Sequence, residues 1–282
     1  MPSLDIFFRT VSKLPDGKLP YTSWDIEPSY WEPIYSRIAA ELGLSKEKDT
    51  EATRILHDIL APHSDRIQRL AALVRSLIRQ RVVAIFGCGP SLDESVDAAK
   101  AHLTLFEPTT IAADGATSAL LEAGLVPDII TTDLDGCMPD IVSAANRGSV
   151  VLLHGHADNI AAVQRYARAM RNVIPITQVE PTLLVRNFGG FTDGDKSIHL
   201  AGLMGAARVV LFGMDFGSEV GPRSDPSGEK NFFWKLTKLK IGAELAASAI
   251  NYFHLDAYSA APLGIPGVKR MDAQQMQRIL RG

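Results

Sequence analysis

The stretch "TTDLDG" places two aspartates, Asp133 and Asp135, directly after an apolar run. In an extended segment the side chains at i and i+2 point the same way, so the two carboxylates would lie side by side. Like charges held that close repel each other unless a cation lies between them. The pair therefore indicates either an acidic turn exposed to water or a metal site.

A third carboxylate, Asp114, follows another apolar run in "AADGATS", where Gly115 is expected to begin a helix, and both are candidate cofactor-binding residues. One interpretation is an Asp-Gly turn that caps the helix, and the other is a carboxylate that binds a ribose hydroxyl or a metal ion. If both runs are parallel strands, Asp114, Asp133 and Asp135 meet at one edge of the sheet. Carboxylates and substrate phosphates are the usual ligands of Mg²⁺. We therefore predict that the three aspartates bind Mg²⁺.

The loop "GCGPSLDES" follows the apolar run "VVAIF" and is a candidate phosphate-binding segment. Gly87 and Gly89 allow close approach of the backbone to a ligand, and Ser91 is expected to form a capping box with the glutamate three positions later. The N-terminus of a helix attracts phosphate oxygens. Pro90, directly before Ser91, is included among the candidate cofactor-binding residues. The spacing matches neither the dinucleotide fingerprint nor a Walker A loop. The alternative is a tight strand-to-helix turn.

A glycine-rich stretch, "NFGGFTDGDKS", carries Asp193, Asp195 and Lys196 at the expected start of another helix. A lysine beside carboxylates suits charge neutralisation during phosphoryl transfer. A flexible surface turn with solvated charges is the alternative.

The histidines of "LHGHADN" resemble part of the HxHxD motif of metallo-hydrolases. That motif needs a second histidine after the aspartate, and Asn159 stands there instead, which argues against a zinc hydrolase. We expect His154, His156 and Asn159 to be pocket residues that hydrogen-bond to a polar ring or a phosphate, with an ordinary strand-end turn as the alternative.

The elements that must position these residues are short strands that alternate with helices. Strands are predicted in "RVVAIF", "TTIAA", "PDIITT", "SVVLLH", "NVIPIT", "ARVVLF" and, near the C-terminus, "NYFHLDA". Alternating strands and helices predict an α/β fold, with a Rossmann-like, mostly parallel sheet and helices on both faces. Ligands of such sheets bind beyond the carboxyl ends of the strands, where the polar loops fall.

Before residue 81 the apolar spacing is helical throughout, with Asp49 and Ser64 as expected N-caps. We predict an N-terminal helical region at residues 1–80, an α/β catalytic domain at 81–260, and a C-terminal tail with a short helix at 261–282.

Bulk composition narrows the class of protein. The chain has 282 residues, a formal net charge of −3 and two cysteines, which gives no general attraction for nucleic acid or membrane surfaces and no disulfide framework. Neither a signal peptide nor a membrane-spanning run is recognisable. We expect a cytoplasmic protein, and the sequence leaves a homo-oligomer open.

Taken as an ordered set, "GCGPSL", "AADGAT", "PDIITTDLDG", "HGHADN" and "FGGFTDGDKS" resemble the archaeal 6-hydroxymethyl-7,8-dihydropterin pyrophosphokinases. The set is also distantly similar to thiamin pyrophosphokinases, in which DG, DxD and DK(T) recur in this order. A related domain occurs in bacterial proteins linked to flagellin glycosylation. The resemblance covers roughly residues 80–217.

The resemblance implies transfer of the β,γ-diphosphate of ATP to the hydroxymethyl group of the pterin, with release of AMP. Asp133 and Asp135, with Asp114, would hold Mg²⁺, and Lys196 would offset phosphate charge. His154, His156, Asn159 and Gln178 would contact the pterin or the nucleotide base. Asp193 or Asp195 would accept the proton of the pterin hydroxyl or bind a second metal ion.

Other readings remain open at this point. A thiamin pyrophosphokinase, a glycosyltransferase-like enzyme of nucleotide sugars and a non-catalytic nucleotide-binding module all fit the motifs. The sequence also leaves open whether the product enters a folate-like or a methanopterin-like pathway.

Overall fold

The first six predicted β-branched runs form six adjacent strands of a single sheet, in which all neighbouring strands are parallel. The computed structural model describes residues 24–224, 232–261 and 265–281. This arrangement confirms the predicted α/β fold. The eight strands are β1 (Val82–Phe86), β2 (Thr109–Ala113), β3 (Ile129–Thr132), β4 (Val150–His154), β5 (Val173–Ile176), β6 (Arg208–Phe212), β7 (Ala257–Ser259) and β8 (Lys269–Arg270).

Helices cover both faces of this sheet, as β-branched runs buried on both sides require. The N-terminal region contributes α1 (Pro28–Leu42), α2 (Lys46–Leu60) and α3 (Ser64–Ile78). The others are α4 (Leu92–Phe106), α5 (Ala116–Glu122), α6 (Met138–Asn146), α7 (Ile160–Tyr166), α8 (Asp193–Leu203), α9 (Phe232–Tyr252) and α10 (Ala273–Arg281), and 3₁₀ turns lie at Ala61–His63, Ala157–Asn159 and Pro222–Ser224.

Alternate residues of β1, β2 and β6 point to two different apolar cores. On one face Val83 and Ile85 of β1 pack with α2, α3, α8 and α9. On the other face Ala84 and Phe86 pack with α4, α5 and α10. A third cluster joins α1 to α9. The N-terminal helices and the last helix therefore share their cores with the sheet.

The strand order is β5-β4-β3-β2-β1-β6-β7-β8. The chain moves outward from β1 to β5 and then returns to the other side of β1 as β6. This change of direction creates a crevice between the carboxyl ends of β1 and β6, the usual position for ligands in open parallel sheets.

Three local predictions were wrong. Helix α2 begins at Lys46 with Ser45 as its N-cap, so Asp49 lies inside the helix and is buried. Ser64 is the first residue of α3 and not its cap. The predicted strand "NYFHLDA" is mostly the end of α9 and a turn, because β7 begins only at Ala257. Among the described helices, none has the length and apolar character needed to cross a lipid bilayer.

Candidate active site

A cavity of about 480 Å³ opens at the crevice between β1 and β6. Its wall is made by the loops that follow β1, β2, β3, β4 and β6, by the start of α8 and by the first turns of α9. A volume of this size accommodates a small organic ligand. The topology therefore brings loops that are distant in sequence to one site.

Three carboxylates converge on the floor of this cavity. Asp114 follows β2, Asp133 follows β3, and Asp193 is the first residue of α8. One carboxylate oxygen from each lies within 4.8 Å of the other two. Asp135 lines the same cavity and is more exposed. Two predicted metal ligands thus belong to the convergent trio, and Asp193 occupies the third place.

The charges of this cluster act strongly on one another. Burial, followed by the charges of Asp135 and Asp133, raises the pKa of Asp114 well above its ordinary value. Burial and the charges of Asp133, Asp114 and Asp135 raise the pKa of Asp193 in the same direction. A bound cation would relieve both effects, because it favours the ionised carboxylates.

The donor set fits a hard divalent cation. Oxygen ligands around an octahedral Mg²⁺ lie about 2.1 Å from the metal and therefore about 3–4 Å from each other. The oxygens of the trio lie within 4.8 Å of one another, which is close to this spacing, and the trio contains only oxygen donors. Asp114, Asp133 and Asp193 are accordingly the residues that would hold Mg²⁺.

Unusual backbone geometry brings the carboxylates together. Asp114 has φ of 41° and Leu134 has φ of 69°, in the left-handed region that costs a non-glycine residue about 1–2 kcal/mol. The segment from Asp133 to Asp135 is consequently a turn and not an extended strand, so the i, i+2 argument for the pair was wrong in its geometry. The carboxylates nevertheless end in one cavity.

Hydrogen bonds and a glycine fix this turn. The Thr132 hydroxyl donates to Asp114 and accepts a 2.8 Å hydrogen bond from the Leu134 amide. Gly136 passes so close to the Asp114 carboxylate that a Cβ atom at this position would overlap with it. The "DLDG" motif therefore needs its final glycine for close packing.

The loop after β4 supports Asp133. Asn159 donates from Nδ2 to the carbonyl oxygens of Asp133 and His154, both at 2.7 Å, and its Oδ1 accepts from the His156 amide at 2.9 Å. The Asp158 amide donates to Nδ1 of His156, so Nε2 carries the proton donated to Asp133 Oδ2 at 3.3 Å. His156 and Asn159 line the cavity. The side-chain amide of Asn159 forms its hydrogen bonds with protein backbone groups.

The glycine loop after β1 does not present its N–H groups to the cavity. The amides of Gly87 and Gly89 donate to the carbonyls of Phe212 and Gly213 at 2.9 and 2.7 Å. The Ser91 amide and hydroxyl both donate to Asp215 Oδ2, at 2.9 and 2.6 Å. The predicted capping box is absent. These donors are already used within the protein, although Gly87 and Gly89 line the cavity, and their assignment as a phosphate seat stays a prediction.

Two further residues predicted to bind the cofactor face elsewhere. Pro90 is exposed outside the cavity, and a Cβ atom on Gly115 would overlap with the Arg223 carbonyl. The segment around Gly221 likewise presses on the backbone of Cys88 and Gly89. The loop after β6 therefore covers the glycine loop.

Of the three site residues predicted at the start of α8, only Asp193 lines the cavity. Asp195 is fully buried and accepts hydrogen bonds from the amides of Phe191 and Thr192 and from the Thr192 hydroxyl, at 2.6–2.8 Å. Lys196 is buried and donates from Nζ to the carbonyls of Gly190 and Phe191, at 2.5 and 3.1 Å. Burial lowers the pKa of Lys196 to about 8. Neither residue is part of the cavity wall.

Two of the predicted substrate contacts are also internal. His154 is buried behind His156, with 5.1 Å between the ring centroids. Gln178 is buried and donates from Nε2 to Asp49 Oδ2 at 2.7 Å. Asp49 in turn accepts from the Tyr35 hydroxyl at 2.7 Å and, through Oδ1, from the Ala157 amide at 2.9 Å. This network links the N-terminal helices to the loop that carries His156.

The motifs did not reveal the wall contributed by α9. Trp234, Lys235, Lys238 and Leu239 line the cavity from this helix, and Phe216 lines it from the loop after β6. The sequence signal for α9 is only a basic helix, since its cavity-facing residues have no characteristic spacing.

The fold and site define the class of protein: a Rossmann-like α/β protein whose switch-point cavity holds a carboxylate cluster. A family model described as "6-hydroxymethylpterin diphosphokinase MptE-like" matches residues 59–221. The chain belongs to this MptE-like family. The recognition made from the motifs is thereby confirmed.

Curated relatives cover most of the chain. The 6-hydroxymethyl-7,8-dihydropterin pyrophosphokinase of Methanothermobacter thermautotrophicus is 42% identical over 71% of this chain and 84% of its own length. The proteins of the same name from Pyrococcus furiosus and Methanocaldococcus jannaschii are 41% and 34% identical, over 76% and 79% of this chain and 90% of each relative.

One solved structure is similar at the level of the backbone. The MAf glycosyltransferase from Magnetospirillum magneticum AMB-1 aligns with a TM-score of 0.48 and 17% identity, over 77% of this chain. The alignment spans only 42% of that longer protein.

Proposed function

We propose that this protein is a 6-hydroxymethyl-7,8-dihydropterin diphosphokinase, which transfers the β,γ-diphosphate of ATP to the pterin hydroxymethyl group and releases AMP. The names of three relatives at 34–42% identity support the substrate and the reaction. The observation that carries the proposal is the convergence of Asp114, Asp133 and Asp193 in a cavity at the switch point.

The reaction needs one bond made and one bond broken. The pterin hydroxyl oxygen attacks the β-phosphorus of ATP, and the bond from that phosphorus to the oxygen it shares with the α-phosphorus breaks, which leaves AMP. Of the two carboxylates predicted to accept the hydroxyl proton, Asp193 lines the cavity and Asp195 is buried under three hydrogen bonds. Of these two, Asp193 is therefore the one placed to act on the substrates, and we assign it to the metal rather than to the proton.

The remaining residues orient this chemistry. Asp114, Asp133 and Asp193 would hold Mg²⁺, which would neutralise charge on the transferring phosphates. His156 orients Asp133 through its Nε2–H, and Asn159 fixes the carbonyl of the same residue. The cavity wall formed by Phe191, Phe216 and other apolar residues limits access of water to the phosphates.

The test is incubation of the protein with ATP, Mg²⁺ and 6-hydroxymethyl-7,8-dihydropterin, followed by separation of AMP from ADP. AMP formed only in the presence of the pterin supports the proposal, and Asp133→Asn should abolish its formation. ADP would instead indicate transfer of a single phosphate. If no nucleotide product depends on the pterin, thiamin and sugar nucleotides are the next substrates, and the proposal fails.

A further inference from the structure

The cavity is lined by several carboxylates, so a bound polyphosphate needs positively charged groups to offset its own negative charge. ATP carries about four negative charges near neutral pH, and a metal ion offsets only part of them. The two groups predicted to supply the rest are committed elsewhere: the glycine-loop amides bond to the loop after β6, and Lys196 bonds to two buried carbonyls.

Among the described residues that line the cavity, the lysines and arginines number two, Lys235 and Lys238, both on α9. Lys235 is buried and donates from Nζ to the carbonyl and hydroxyl of Ser224, at 2.7 and 3.2 Å. Its ammonium thus ties α9 to the loop after β6.

Lys238 is in a different situation. Within the described parts of the chain, no carboxylate lies within ion-pair distance of its ammonium. Its Nζ lies 5.6 Å from the centroid of the Phe191 ring, and Phe191 is two residues before Asp193. The contact restrains the lysine beside the start of α8, because a cation is attracted to the face of an aromatic ring.

The environment of His154 agrees with this location. Burial, followed by the charges of Lys196, His156 and Lys238, lowers the pKa of this imidazole well below its ordinary value. The positive charge of Lys238 therefore lies close enough to act on His154, at the end of β4.

We propose that Lys238 binds the polyphosphate of ATP and supplies the positive charge that the motifs assigned to Lys196. This inference rests on the proposed function only for the identity of the nucleotide, since any polyphosphate held by the carboxylate-bound metal would meet the same lysine. Position 238 lies beyond the part of the chain that the family model matches, residues 59–221. The motifs therefore gave no indication of it.

The experiment compares wild type with Lys238→Met, Lys238→Arg and a matched control, Lys240→Met, which changes an exposed lysine on the same helix. Binding of ATP with Mg²⁺, and of inorganic tripolyphosphate with Mg²⁺, is measured by calorimetry on the full chain. The KM values for ATP and for the pterin are measured in parallel, with melting temperatures for each variant.

Loss of a hydrogen bond to a charged group predicts that Lys238→Met weakens the binding of both phosphate ligands about 10- to 100-fold. The KM for ATP should rise by a similar factor, while the KM for the pterin and the melting temperature stay near wild type. Lys238→Arg should restore most of the affinity, and Lys240→Met should match wild type.

The inference is overturned if Lys238→Met binds ATP and tripolyphosphate within about twofold of wild type. It is also overturned if affinity and melting temperature fall together while the KM for the pterin rises, which would indicate a structural role. If wild type forms no AMP from ATP in the presence of the pterin but phosphate binding still depends on Lys238, the proposed function fails and the phosphate site stands.

Discussion

Replacement of Asp193 by asparagine tests whether the carboxylate cluster is a cation site. Asp114, Asp133 and Asp193 each place an oxygen within 4.8 Å of the others. In the absence of metal, their mutual repulsion destabilises the folded state. Asp193→Asn keeps the size of the side chain and removes one charge, so the metal-free variant should be more stable than the metal-free wild type.

The magnitude follows from the spacing. Two unit charges 4.8 Å apart repel by about 3.5 kcal/mol at an effective dielectric constant of about 20. Asp193→Asn removes two such pairs, but protonation of one carboxyl group already relieves part of the repulsion in wild type. We expect a net gain of about 2–4 kcal/mol near pH 8, or a melting temperature higher by about 3–7 °C.

The same reasoning fixes the sign of the pH dependence. The pKa values of Asp114 and Asp193 are raised in the folded state, so this state binds more protons than the unfolded chain between the ordinary and the raised pKa. Stability of the metal-free wild type should therefore fall as the pH rises above the ordinary aspartate pKa of about 4. Asp193→Asn should show a shallower fall.

The assay is calorimetric melting in EDTA and then with increasing Mg²⁺. At a Mg²⁺ concentration about 100 times its Kd, binding contributes about 2.7 kcal/mol to wild-type stability, and the variant should respond much less. Asp158→Asn is the matched control, because Asp158 lines the cavity outside the trio and is exposed. Equal melting temperatures in EDTA together with equal responses to Mg²⁺ would refute the reasoning.

Three further predictions concern residues that the structure places in supporting roles. Asp49→Ala leaves the Ala157 amide and two side-chain donors without their buried acceptor and should cost about 3–5 kcal/mol in urea unfolding, with a lower kcat. Ser91→Ala should cost about 1–2 kcal/mol through its lost bond to Asp215 and leave the KM for ATP unchanged in steady-state assays. The buried Lys196 has a pKa of about 8 against an ordinary 10.5, so the unfolded chain binds more protons than the folded protein between these pH values. As the pH rises from about 8 to 10.5, the free energy of unfolding of wild type should increase by roughly 3 kcal/mol relative to that of Lys196→Met in denaturant titrations.

Each of these has a result that would contradict it. Asp58→Ala, an exposed change on the same helix as Asp49, should be neutral, and an equal loss in both variants would remove the special role of the network. A large rise in the KM for ATP in Ser91→Ala would return Ser91 to the phosphate site. Parallel stability curves for wild type and Lys196→Met across the alkaline range would show that the buried amine does not titrate there.

Local sequence patterns determined the fold class and several parts of the site. Buried parallel strands need continuous β-branched runs, and parallel strands need crossovers, so the alternation of strand and helix was legible without coordinates. Carboxyl ends of parallel strands meet at one edge, which allowed Asp114 and Asp133 to be predicted together before the structure was known. The order of the motifs also identified the family.

Tertiary structure alone decided which polar groups remain available to a ligand. Lys196 and Asp195 carry charged groups suited to a phosphate or metal site. Both groups instead form hydrogen bonds with backbone atoms of the preceding glycine-rich loop. The same is true of the Gly89 amide, which is satisfied by the loop after β6. Hydrogen bonds between segments far apart in sequence leave no periodic signal, because they depend on how those segments pack. For that reason the sequence predicted the aspartates on the floor of the cavity. The position of Lys238 in the cavity wall depends on the packing of α9, which only the tertiary structure shows.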